Sequence, residues 1–293
     1  MRQVIPPGPQ AGRVELRAGR VGPVGLVGLV GLVGLVGLVG VAALLAALDV
    51  TTDGGLGGRG WVVGLACGVS LVGLLTAGLR RAARRRLSPA DRVTLTRAVL
   101  ACGVAALVAH DADGGAQPTV TAASVGVLVA LASLALVLDA VDGRVARRTG
   151  TVHPFGARFD METDAFLILV LSVHVAAELG WWVLGIGAAR YVLLLVAALS
   201  RWAPWLRGQV PARLWRKAVA AYQGVVLTVA TGDVLPSPIA VVAVAAGLAL
   251  LFVSFVTEVT TLRRRSLSTA RSVEATVGWT AVSSPVIDAG IAP

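Results

Sequence analysis

The sequence predicts an all-α, polytopic membrane protein: a bundle of six transmembrane helices preceded by two extra N-terminal ones. Three observations carry that prediction. Of the 293 residues, 56% are hydrophobic and only 14% charged, with a mean hydropathy of +0.81, which is membrane rather than soluble composition. The apolar residues gather into runs of bilayer-spanning length. The bases behind the net charge of +10 sit mostly in short segments between those runs, so they read as topology determinants. Few aromatic residues accompany them, which argues against a nucleic-acid partner. Lys217 is the only lysine, amid abundant Arg, Ala, Val and Gly, a usage that suggests a G+C-rich bacterial genome.

Residues 1–20 are rich in Pro, Gly and Arg and read as a disordered cytoplasmic tail. Residues 21–87 hold the two extra spans. In the first, Val24–Leu48, Gly recurs every third position from Gly22 to Gly40. Pro is nearly absent, so collagen is excluded. Three residues turn a helix by about 300°, so the glycines spiral instead of forming the every-fourth stripe of a glycine-packed helix pair. The run is too long for a signal-peptide core and lacks a clear cleavage pattern. A polar loop, Asp49–Arg59, leads to the second span, Trp61–Leu79, and then to Arg80, Arg81, Arg84, Arg85 and Arg86. Cys67 and Cys102 fall inside apolar runs and read as packing residues without metal or disulfide spacing.

Ser88-Pro89 suits an N-cap and first helical residue and opens the six-span region 88–262. Its spans are Val93–Ala109, Thr119–Leu138, Ala165–Ala177, Trp182–Leu199, Ala218–Thr231 and Ile239–Thr257. Links 111–117, 178–180 and 232–237 lack bases, whereas 144–158, 201–217 and 263–271 are basic. The basic side should be cytoplasmic, which gives eight spans with both termini inside and leaves Arg59 as the exception on the outer side. Residues 263–293 show no sustained helical pattern and read as a flexible cytoplasmic tail.

The chemistry-bearing stretch is 139–164. Asp139 and Asp142 are three apart, and Asp160 and Asp164 four apart, so each pair shares a helix face. Two antiparallel helices would aim both pairs into one gap at the cytoplasmic end. Four facing carboxylates repel unless cations offset them, and hard oxygen donors suit Mg²⁺ or Mn²⁺. Gly143 permits close approach of a ligand, and Arg147 can pair with phosphate.

The pattern D-x2-D-G-x2-A-R-x8-G-x3-D-x3-D, met by Asp139, Asp142, Gly143, Ala146, Arg147, Gly156, Asp160 and Asp164, resembles the signature of the CDP-alcohol phosphatidyltransferases. Pro89, Val93, Thr94, Thr96 and Arg97 resemble, more weakly, the start of that family's catalytic domain. The resemblance covers residues 88–260. It implies an enzyme of phospholipid synthesis: an alcohol hydroxyl attacks the phosphorus nearest the lipid of a CDP-linked donor such as CDP-diacylglycerol, and CMP leaves.

Two metal ions would be held by Asp139, Asp142 and Asp160. Asp164 would be the general base and a further metal contact. Gly143, Ala146, Arg147, Thr94, Arg97 and His153 would serve the nucleotide. Arg190, a charge costly in mid-span, is the leading acceptor-site residue, with Arg201 and Lys217 on a phosphate-binding rim; a phosphorylated alcohol would suit them. Arg190 paired with a structural carboxylate is the competing account. A homodimer is expected by resemblance alone. The rival functions are a transporter or ion permease using the same acids, and an inactive scaffold. A permease calls for ionisable residues deep in several spans, and a scaffold for a missing motif residue.

Overall fold

The computed structural model describes residues 23–52, 54–81, 89–112, 122–149, 154–199 and 214–282. The N-terminal tail 1–20 expected from the sequence lies outside them. The described residues form eight α-helices and no strand: α1 Pro23–Thr51, α2 Gly57–Arg81, α3 Pro89–Asp111, α4 Ala122–Thr149, α5 Pro154–Leu179, α6 Leu184–Leu199, α7 Leu214–Thr231 and α8 Ser237–Val282. A 3₁₀ turn, Trp181–Val183, leads into α6. Pro23, Pro89 and Pro154 each open a helix, where a missing N–H costs nothing. Five helices contain stretches long and apolar enough to cross a membrane: Val30–Thr51, Gly57–Arg81, Asp91–Asp111, Ala123–Val141 and Ser237–Thr261. α6 contributes a shorter apolar stretch. α5 and α7 are interrupted by the polar residues described below. The chain is a polytopic helical membrane protein.

α3 is the centre. It packs against α1, α2, α4 and α5, and every residue from Ala101 to Val108 is buried. A helix enclosed on all sides needs apolar residues all round, and small ones where neighbours come close. Ala101, Cys102, Gly103, Ala105 and Ala106 meet both needs.

The two N-terminal helices join the same apolar core as the later ones, which runs from Val30 and Leu45 through Leu107 and Leu171 to Val244. α1 buries Val30, Gly34, Gly37, Val41, Leu45 and Leu48 and leaves Leu32, Leu35, Val36 and Val39 exposed. The every-fourth glycine stripe absent from α1 occurs in α2, where Gly60, Gly64 and Gly68 are buried. A Cβ at Gly64 would lie 2.7 Å from a methyl of Leu45 and 3.0 Å from Ala106 Cβ. Small residues at that spacing let two helix backbones approach closely. Asp49 Oδ1 ties the turn between them, accepting from Leu56 N at 2.7 Å and Trp61 Nε1 at 3.1 Å.

One boundary differs from expectation. The sequence predicts a flexible tail after residue 262, but α8 continues as helix through Val282. No proline falls between Pro238 and Pro285, so nothing in the backbone forces an earlier stop.

Candidate metal and catalytic site

α4 and α5 scarcely touch each other; α3 and α7 each pack against both and hold them apart. The gap between them receives the acids. Asp139 lies where α4 leaves its apolar stretch, and Asp160 and Asp164 lie in the first half of α5, all three half-buried. One oxygen from each lies within 4.8 Å of the others. The juxtaposition expected from the spacing is therefore present for these three.

The group that holds them together comes from α3. Arg97 is 1% exposed, and its Nη1 stands 3.1 Å from Asp139 Oδ1. Nη1 also bonds Asp160 and Nη2 bonds Asp164, while Nε donates to the Ala135 carbonyl at 3.1 Å. The family resemblance assigns Arg97 to the nucleotide. The structure instead directs its guanidinium to three carboxylates on two other helices. A planar fork of donors that stays charged when buried suits that task.

Three carboxylates around one guanidinium leave an excess of negative charge in a partly dehydrated gap. Such charge is costly unless it is compensated. The donors are all carboxylate oxygens, which fits a hard divalent cation such as Mg²⁺ or Mn²⁺ and not a soft metal.

Gly143 is half-buried on α4, one turn beyond Asp139. Thr94 is 4% exposed on α3, nearly one turn before Arg97. The side chains of Asp142, Ala146 and Arg147, and the residues His153 and Arg201, lie outside the described residues. Lys217 is exposed on α7. Arg190 is paired with a carboxylate: its Nε and Nη2 reach Glu162 at 3.3 and 2.5 Å, and its Nη1 lies 2.8 Å from Met161 Sδ. Glu162 sits between Asp160 and Asp164 in sequence, about 200° around the helix from each. It therefore faces α6 while its neighbours face the gap.

Two site residues escaped the sequence reading. Glu162 was legible as a third acid within the motif, out of phase with the other two. Asp91, 4% exposed on α3, explains the motif's glycine: a Cβ at Gly156 would lie 2.7 Å from Asp91 Oδ1. A side chain there would force the buried Asp91 carboxylate to move.

The far end of the bundle carries a sparser polar set. Asp111 on α3 stands 3.9 Å from His174 on α5, beyond hydrogen-bonding reach.

Comparison with known proteins agrees with the geometry. The family model for CDP-alcohol phosphatidyltransferase matches residues 87–260. No curated protein and no solved structure matches the chain. The matched region spans α3 to α8 as far as the end of its apolar stretch, and so contains all four walls of the acid-lined gap. The chain belongs to the CDP-alcohol phosphatidyltransferase family and is a membrane phosphotransferase of that type.

Proposed function

We propose that this protein transfers a phosphatidyl group from CDP-diacylglycerol to the hydroxyl of a small phosphorylated alcohol, releasing CMP, in the phospholipid synthesis of a bacterial cytoplasmic membrane. The observation that carries this reading is the convergence of Asp139, Asp160 and Asp164 from two helices that are otherwise held apart.

Asp139, Asp142 and Asp160 would hold two Mg²⁺ or Mn²⁺ ions, with Asp164 close enough to share one. Ions bound there offset the diphosphate charge and make the acceptor hydroxyl more acidic. Asp164 then takes the hydroxyl proton. The freed oxygen bonds to the phosphorus nearest the lipid, the bond from that phosphorus to the bridging oxygen breaks, and CMP departs with that oxygen. Asp164 acts by proximity and not by strong basicity. Arg97 keeps the acids in register before substrates arrive. Gly143, Ala146, Arg147, Thr94 and His153 would serve the nucleotide, with Arg147 pairing phosphate. Arg201 and Lys217 would supply a basic rim for an anionic acceptor. Arg190 serves the acceptor only if the acceptor displaces Glu162.

The basic links support a cytoplasmic site with both termini inside and eight crossings, and the family resemblance supports a homodimer. We read residues 88–262 as the catalytic part of the chain. The test is CMP release by purified protein from CDP-diacylglycerol with glycerol 3-phosphate, inositol phosphate or serine, read by lipid mass. Release should require Mg²⁺ or Mn²⁺ and stop with chelator. Mg²⁺ movement across vesicles without CMP release would replace this reading with the permease.

A further inference from the structure

The acid-lined gap has four walls, and three carry charge: Arg97 on α3, Asp139 on α4, Asp160 and Asp164 on α5. The fourth wall, α7, buries Val219, Leu227 and Ala230, and among them Gln223. Gln223 is 4% exposed, and its Nε2 is buried without a hydrogen-bond partner among the described residues. Leaving such a donor unpaired costs about 1–3 kcal/mol, so packing alone would favour Leu or Met here.

Contacts fix the depth of Gln223. On the antiparallel pair α7 and α4, a Cβ at Gly232 would meet Val129 and one at Gly224 would meet Leu136. Gln223 is therefore level with residues 137–138, about 3 Å or less along the axis from Asp139. Contacts also fix its direction. Tyr222 Oη donates to the Ala243 carbonyl on α8, and Gly224 faces α4. At 100° per residue, Gln223 falls between them, on the side where α7 packs against α5.

We infer that Gln223 is a specificity-determining residue that donates a hydrogen bond to an oxygen of the acceptor alcohol. The inference rests on the proposed function. Gly143 and the rest of the nucleotide stretch lie on the terminal side of Asp139, whereas Gln223 lies on the deeper side. A diphosphate calls for charge, but a neutral amide donor matches a hydroxyl or phosphate oxygen on a small polar molecule. A site built around such a donor rejects molecules lacking the matching oxygen, because the donor is then left unpaired.

The test compares wild type with Gln223→Met, which keeps length and removes the donor, and Gln223→Glu, which keeps shape and replaces the donor with an acceptor. With the best acceptor from the panel, both variants should raise the acceptor KM tenfold or more while the KM for CDP-diacylglycerol stays within twofold. An acceptor KM within twofold of wild type, or both KM values rising together, overturns the assignment. If Gln223→Met is not monodisperse in detergent, Gln223→Leu, which also lacks the donor, carries the same comparison. If wild type releases no CMP with any acceptor, the proposed function fails first and this inference falls with it.

Discussion

The α1–α2 pair and the α3–α4–α5–α7 gap solve opposite problems in one molecule. The first brings two helix backbones together by removing side chains, with Gly64 admitting Leu45 and Gly68 admitting Val41. The second holds two helices apart and fills the space with charge, using Arg97 as its centre. Both depend on α3, which packs against α1, α2, α4 and α5. Close approach needs no hydrogen bonds and tolerates only small volume changes. The charged gap tolerates space but not the loss of a partner. The same helix thus has a side whose failures are steric and a side whose failures are electrostatic.

Substitutions should separate the two. The largest effect is expected for Asp164→Asn, which removes the proposed base. CMP release should fall by about 10²–10⁴-fold, while the protein stays folded, because one charge leaves a site with an excess of acids. Retained turnover would remove Asp164 from the chemistry. Next comes Arg97→Met, which leaves three carboxylates without their cation. Breaking a buried pair from one side costs about 3–5 kcal/mol. Thermal unfolding in detergent should show the loss, and added Mg²⁺ should restore more stability to the variant than to wild type. An unshifted transition would mean that Arg97 does not hold the acids.

The smallest effect sharpens the steric side. Gly64→Leu forces a side chain into Leu45 and Ala106 and should cost about 1–3 kcal/mol. Val36→Ala, at a residue 57% exposed on α1, should change stability by no more than about 0.5 kcal/mol. Equal losses from the two would mean that α1 and α2 do not pack as described.

The acids were legible in the sequence because helical spacing alone aligns Asp160 with Asp164, and the glycine and arginine of the motif lie nearby in the chain. The partner of those acids was not. Arg97 is 42 residues before Asp139, and only the packing of α3 between α4 and α5 joins them. Glu162 was visible as a carboxylate two residues from Asp160, but its pairing with Arg190 required the position of α6. In the N-terminal region the conspicuous glycine repeat has a spacing of three, while the packing stripe lies in α2 at a spacing of four. The helical extension of α8 was hidden because a Ser/Thr/Ala/Val stretch has no apolar periodicity, yet contains nothing that breaks a helix.

The Gly-Leu-Val repeat of α1 makes its length a free variable. Residues three apart in the repeat are of the same type, so inserting or deleting one unit near the start only lengthens or trims the outer tip. Every position lower down meets the neighbour it met before. Adding or removing one unit there changes the helix by about 300° without altering the packing between α1 and the rest of the molecule.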